Sequence, residues 1–244
     1  MIQPVMITAP GAASRELRLN DLAVPLPLDF LAPGPGPWEV EIGFGKGKYL
    51  LRRAAESPGT RFLGVEVVSE YYRRVAVRAR RRALRNLVVL RAEALFLLSA
   101  VLPRGFARAV HVYFPDPWPK LRHQKRRLFE PETVDLVLGL LAPGGTLYFA
   151  SDFLEYGELV LSILLGVPGF AVERLDEPWP EGPRTHYESK YMAEGRPILR
   201  LRGSWLPEAS GRHASSVHPE GFAGLVVATS AREVGEARES EAAL

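Results

Sequence analysis

The chain has 244 residues, 47% hydrophobic and 24% charged, the proportions of one or two globular domains and not of a disordered segment. It contains no cysteine, which excludes a disulfide scaffold, a thiolate metal site and a thiol nucleophile. A net charge of +3 says little by itself. No apolar run reaches bilayer length and no basic-then-apolar leader opens the sequence, so a cytoplasmic protein without a membrane span is expected.

Lysine stands only at positions 46, 48, 120, 125 and 190, so 26 of the 31 basic residues are arginine. The planar arginine fork matches phosphate and the acceptor edge of guanine, although a GC-rich coding sequence produces the same bias. Residues 1–37 are rich in Pro and Gly and read as an irregular N-terminal arm ending in the breaker run 33–37. Short apolar runs and amphipathic segments then alternate. Strands are expected over 38–42, 61–68, 87–91, 107–114, 146–151, 171–174 and 197–202. Helices are expected over 48–56, 70–85, 95–102, 131–141 and 156–165. This alternation predicts an α/β domain over 38–206 with a mostly parallel seven-stranded sheet and helices on both faces. Residues 207–244 turn polar and read as a loosely ordered C-terminal extension, with a further short strand conceivable at 222–229.

The segment Glu41-Ile42-Gly43-Phe44-Gly45-Lys46-Gly47 ends the first domain strand and opens a helix. Glycines there allow positive φ and a close backbone approach to a ligand. Glu66 follows Gly47 by 19 residues at the end of the next strand, where a carboxylate accepts the ribose hydroxyls of a nucleoside cofactor. A pyrophosphate would be repelled by Glu41, whereas a cationic nucleoside without phosphates suits it. S-adenosylmethionine has that chemistry. Glu93, just past the third strand, is placed to reach the adenine.

Asp116 sits between two prolines in Tyr113-Phe114-Pro115-Asp116-Pro117-Trp118-Pro119-Lys120, beyond the fourth strand. Ligands of open α/β sheets lie at that edge. Lys120, Arg122, Lys125, Arg126 and Arg127 then form an acid-free basic strip suited to a polyanion. Here the sequence resembles the bacterial tRNA (guanine-N7)-methyltransferase family. The carrying motifs are EIGFGKG (41–47), GVEV (64–67), YFPDPWPK (113–120) with the basic run after it, SDF (151–153) and THYE (185–188). The resemblance implies a Rossmann-like class I methyltransferase fold with an antiparallel last strand. It implies S-adenosylmethionine as donor and N7 of a guanine in the tRNA variable loop as acceptor. Glu41, Glu66, Glu93 and Asp116 would be cofactor residues, with Gly43, Gly45 and Gly47 forming the turn. Lys120, Asp152, Thr185, His186, Tyr187 and Glu188 would bind substrate, and Arg122, Lys125, Arg126 and Arg127 would contact RNA.

Guanine N7 carries a lone pair and no proton, so in-line methyl transfer needs positioning and electrostatics and no general base. Asp116 is the expected catalytic carboxylate, although spacing leaves open whether Asp116 or Asp152 faces the purine. Tyr187 or Trp118 could stack on an exposed base. The seven arginines between Arg73 and Arg85 read either as an RNA contact or as a solvated helix face. None of the five histidines forms an HxxxH or HExxH pair, so no metal site is expected. A methyltransferase for another acceptor and an RNA-binding module with a vestigial pocket are the competing readings. The basic strip opposes the first, and the retained acids oppose the second.

Overall fold

The computed structural model describes residues 5–9, 15–17, 25–32, 34–120, 122, 126 and 127–206. Its strands are β1 (Val5–Thr8), β2 (Arg15–Leu17), β3 (Trp38–Ile42), β4 (Arg61–Glu66), β5 (Leu87–Arg91), β6 (Ala107–Tyr113), β7 (Leu141–Ser151), β8 (Phe170–Leu175) and β9 (Leu199–Trp205). Its helices are α1 (Leu28–Leu31), α2 (Lys48–Glu56), α3 (Ser69–Arg81), α4 (Ala94–Ala100), α5 (Val134–Leu138), α6 (Leu154–Leu165) and α7 (His186–Ala193). All nine strands join one sheet in the order β2-β1-β5-β4-β3-β6-β7-β9-β8. The strands β5, β4, β3, β6 and β7 pair in parallel. β9 inserts between β7 and β8 and runs antiparallel to both.

Strand alternation assigns the two faces. Val40 and Ile42, Leu63 and Val65, and Val88 and Leu90 point into a core covered by α4, α5 and α6. Phe62, Leu87 and Val89 point the other way, against Leu50 and Leu51 of α2 and Tyr72, Val75 and Ala79 of α3. On that second face, beyond β3, the apolar layer gives way to the buried acids Glu39 and Glu41 and to a smaller cluster of Tyr49, Tyr113, Ala150 and Trp179.

The arm before residue 38 is not wholly irregular. Met6 to Thr8 pair antiparallel with Arg91 to Val89, and β2 pairs with β1 in turn. Without the arm, β5 would be a bare edge with unpaired amides. Ile7, Leu26 and Leu31 enter the first core, and the Thr8 hydroxyl meets Tyr72 Oη at 2.9 Å. Strands of three and four residues are too short to show alternation above the Pro/Gly background. The helix expected over 131–141 contracts to α5. The helix-breaking run Pro143-Gly144-Gly145 lies inside β7, where the register shifts against β6 between Ala107 and Ala109. Gly145 allows that close approach: a methyl there would lie 2.7 Å from the Ala107 carbonyl oxygen.

Candidate active site

The carboxyl ends of β3, β4, β6 and β7 carry the candidate residues to one edge of the sheet. At the end of β3 the backbone turns through Gly43 at φ +75° and Gly47 at φ +67°, the latter serving as the N-cap of α2. These glycines have different reasons. A methyl on Gly47 would lie 2.6 Å from Val75 Cγ2, so that position is closed by packing against α3. A methyl on Gly43 or Gly45 would meet nothing within 4 Å, so both face open space where a ligand can approach. Glu66 supports the turn from β4: its Oε2 accepts from Gly45 N at 2.8 Å and its Oε1 from Val68 N at 2.9 Å. Each oxygen keeps a lone pair for a further donor.

Glu41 lies on β3 just before the turn and is 3% exposed. Its Oε2 is buried and finds no hydrogen-bond partner among the described residues. Burial, reinforced by the charge of Glu66, pushes its carboxyl up to about 8, against the opposing pull of the Leu50 amide and Arg184. A buried carboxyl with one unpartnered oxygen beside an open glycine turn is neutral in the empty site and ionises against an arriving cation, so the site suits a cation and offers a phosphate nothing. The donor set therefore fits S-adenosylmethionine, as sequence alone suggests. Glu93 has a second duty: it caps α4, accepting from Leu95 N at 3.1 Å and Phe96 N at 2.7 Å.

The loop after β6 starts with Phe114 at φ 54° and includes Trp118 at φ 40°, both in the left-handed region that non-glycine residues avoid. Asp116, exposed, lies between them. Arg127 is expected in the basic strip, but it is only 6% exposed and serves the loop instead. Its Nε donates to Pro117 O at 2.7 Å and its Cζ lies 5.0 Å from the centre of the Tyr156 ring. Arg127 thus braces the loop and does not face solvent. Arg126 is exposed with its Cζ 5.1 Å from the Trp118 ring, Arg122 and Lys120 are exposed, and Lys125 lies outside the described residues.

The THYE segment divides in the same way. Thr185 is the N-cap of α7, its Oγ1 accepting from Glu188 N at 3.0 Å. His186 and Tyr187 are exposed. His186 is held below the usual imidazole range by partial burial and by the cations of Lys46, Lys48 and Arg78. Glu188, expected at the guanine, is fully buried. One oxygen accepts from Arg184 N at 2.7 Å, the other from Arg200 Nε and Nη2, both at 2.9 Å. It fixes α7 to β9 from inside. Asp152, after β7, is partly exposed and 3.6 Å from Arg196.

A buried polar chain lies beneath the site, and of its members only Tyr113 belongs to a quoted motif. Arg184 Nη1 donates to Tyr113 Oη at 2.5 Å, and its Cζ lies 3.9 Å from the Trp179 ring centre and 4.7 Å from that of Tyr148. Because arginine only donates, Tyr113 gives its own proton to His111 Nδ1, 2.9 Å away. The neutral His111 then directs Nε2–H to Glu39 Oε2 at 3.3 Å, and burial keeps its pKa low. Burial would raise Glu39, but His111, Arg108 and Arg53 hold it at about 2. The signal was in the sequence: Glu39 and Glu41 alternate with apolar residues on a strand whose neighbours bury both faces, and His111 and Tyr113 do the same on β6.

The reversed strand β9, and acids on either side of a glycine turn at the carboxyl ends of β3 and β4, place the chain among the Rossmann-like class I methyltransferases. Two solved structures share the fold. One is the 16S rRNA methyltransferase KamB (TM-score 0.59, 16% identity, 83% of this chain and all of the other). The other is a variant of the 16S rRNA (adenine(1408)-N(1))-methyltransferase from Catenulisporales acidiphilia with its cosubstrate SAM (TM-score 0.54, 17% identity, 83% of this chain and 97% of the other). More specifically, the chain belongs to the tRNA (guanine-N7)-methyltransferase family. The family model Methyltransf_4 ("Putative methyltransferase") matches residues 35–201. The tRNA (guanine-N(7)-)-methyltransferase of Geobacter metallireducens is 37% identical over 158 residues, 63% of this chain and 75% of the relative. That of Nitrosococcus oceani is 36% identical over 159 residues, 65% and 67% of the two chains.

Proposed function

We propose that the protein transfers the methyl group of S-adenosylmethionine to N7 of a guanine in the variable loop of tRNA. The observation that carries this reading is the buried, unpartnered Oε2 of Glu41 beside the open turn at Gly43, in a chain 37% identical over 158 residues to a tRNA (guanine-N7)-methyltransferase. When bound, S-adenosylmethionine supplies an electrophilic methyl carbon on a sulfonium. Glu41 answers its positive charge. Glu66, its rotamer fixed by Gly45 and Val68, accepts the ribose hydroxyls with its remaining lone pairs, and Glu93 accepts from the adenine amine with those its cap leaves over.

Methylation turns a neutral purine into a cation. Asp116, on its proline-locked and Arg127-braced loop, stabilises that developing charge. Lys120 holds the carbonyl edge, and Thr185 with the exposed His186 and Tyr187 lines the base's entrance. Arg122, Arg126 and Lys125 meet the phosphate backbone. Glu188 acts at one remove, by seating α7. The test is tritiated S-adenosylmethionine with bulk tRNA, followed by nucleoside analysis. Label in 7-methylguanosine supports the reading; label in another acceptor, or none, overturns it. Among the described residues no helix is long and apolar enough to cross a membrane.

A further inference from the structure

Three aromatic rings wall the mouth of the site on the side of α7. Phe114 lies 6.3 Å from Tyr187 and 5.6 Å from Tyr191, and the two tyrosines, one helical turn apart, are 6.0 Å from each other. Tyr187, 47% exposed, has Asp116 in its field, and Tyr191 has Asp152 in its own. The wall thus runs between the two acids whose roles spacing cannot separate.

At the Asp152 end the chain itself covers the wall. Arg196, in the turn after α7, sets its guanidinium carbon 4.7 Å from the Tyr191 ring centre. Its Nη1 lies 3.6 Å from Asp152 Oδ2, and its Nε donates to Glu194 Oε2 at 2.7 Å. A flat guanidinium over a ring, with its N–H groups turned to carboxylates, presents the same adjacent donors as the N1–H and 2-amino group of guanine. Adenine, cytosine and uracil have no such pair of donors.

We propose that Arg196 is an intramolecular occupant of the guanine pocket: its guanidinium lies on Tyr191 and against Asp152 and Glu194 in place of the donor edge of the target base, which displaces it. The inference rests on the reading of the site as a guanine-N7 methyltransferase. Guanine N7 lies across the ring system from N1 and the 2-amino group. Gripping the donor edge at Asp152 therefore leaves N7 directed away from it, for the cofactor and for Asp116. Displacement is easy: Arg196 and Asp152 side chains are 49% and 26% exposed, and an ion pair of that length and exposure is weak.

The test uses full-length protein and tRNA transcripts carrying guanosine or inosine, which lacks only the 2-amino group, at the methylated position. Wild type is expected to favour guanosine by at least about tenfold in kcat/KM, the loss that follows when a charged acceptor is left unpaired. Asp152→Asn should erase that preference. Arg196→Ala should lower the KM for tRNA by about two- to fivefold, the scale of an exposed ion pair, with kcat and S-adenosylmethionine affinity unchanged. A preserved guanosine preference in Asp152→Asn, or a raised KM in Arg196→Ala, overturns the inference while wild-type N7 methylation stands. Absence of N7 methylation by the wild type overturns the functional reading, and this inference with it.

Discussion

Glu39 and Glu41 share one strand and one face two residues apart, yet their carboxyls are driven in opposite directions, to about 2 and about 8. The difference is partnership: cations and His111 surround Glu39, whereas Glu41 Oε2 has none. Between pH 4.5 and about 8 folded Glu41 keeps a proton that the unfolded chain has released. Its contribution to stability is therefore complete below 4.5, falls as pH rises through this window and levels off above it, a change on the order of a few kcal/mol. Glu41→Gln should flatten that limb in thermal melts of the ligand-free protein. The same variant should bind S-adenosylmethionine at least about tenfold more weakly, by calorimetry at pH 8, because a charge-assisted contact is lost. Asp116, by contrast, is exposed and makes no hydrogen bond or ion pair among the described residues, so Asp116→Ala should keep the wild-type melting temperature while kcat falls by about 100-fold or more. Retained turnover would contradict its role.

The glycine turn separates a fold requirement from a ligand requirement within one element. Gly47→Ala adds a clash with Val75 to a left-handed backbone and should cost more than the ~1–2 kcal/mol of backbone strain alone. Gly43→Ala meets only that strain, so it should lower the melting temperature less but weaken cofactor binding more. Melting curves and cofactor titrations of the two variants would reveal any reversal of this order. Elements of this kind were legible in sequence because their periodicity and punctuation agree: β3 and α2 begin and end where the apolar pattern and Pro58-Gly59 say they should. The eight-residue α7 was not, since its hydrophobic pattern is weak and its one fully buried side chain is an acid. Motif spacing also could not tell Glu188 from its exposed neighbours His186 and Tyr187, nor Arg127 from Arg126. In both cases burial is decided by a partner far along the chain, Arg200 for one and Pro117 for the other.

Across the whole molecule, those same assignments change what a salt titration should read. Each phosphate contact contributes about one unit to the slope of log affinity against log salt. Arg122→Ala and Arg126→Ala should each lower the slope for tRNA by up to about that amount. Arg127→Ala should leave the slope alone and lower stability, because its guanidinium serves Pro117 and Tyr156; a lost slope unit would return it to the RNA face. The order of the strands has a consequence during synthesis. Among the described strands β8 pairs with β9 alone, and β9 is the last of them to be made although it fills an interior place. Until residue 205 clears the ribosome, β7 and β8 flank a gap and expose main-chain amides that any other extended peptide could fill. A message cut short before Leu199 therefore yields a sticky fragment, and it is the arrival of β9 that seals the sheet against its neighbours.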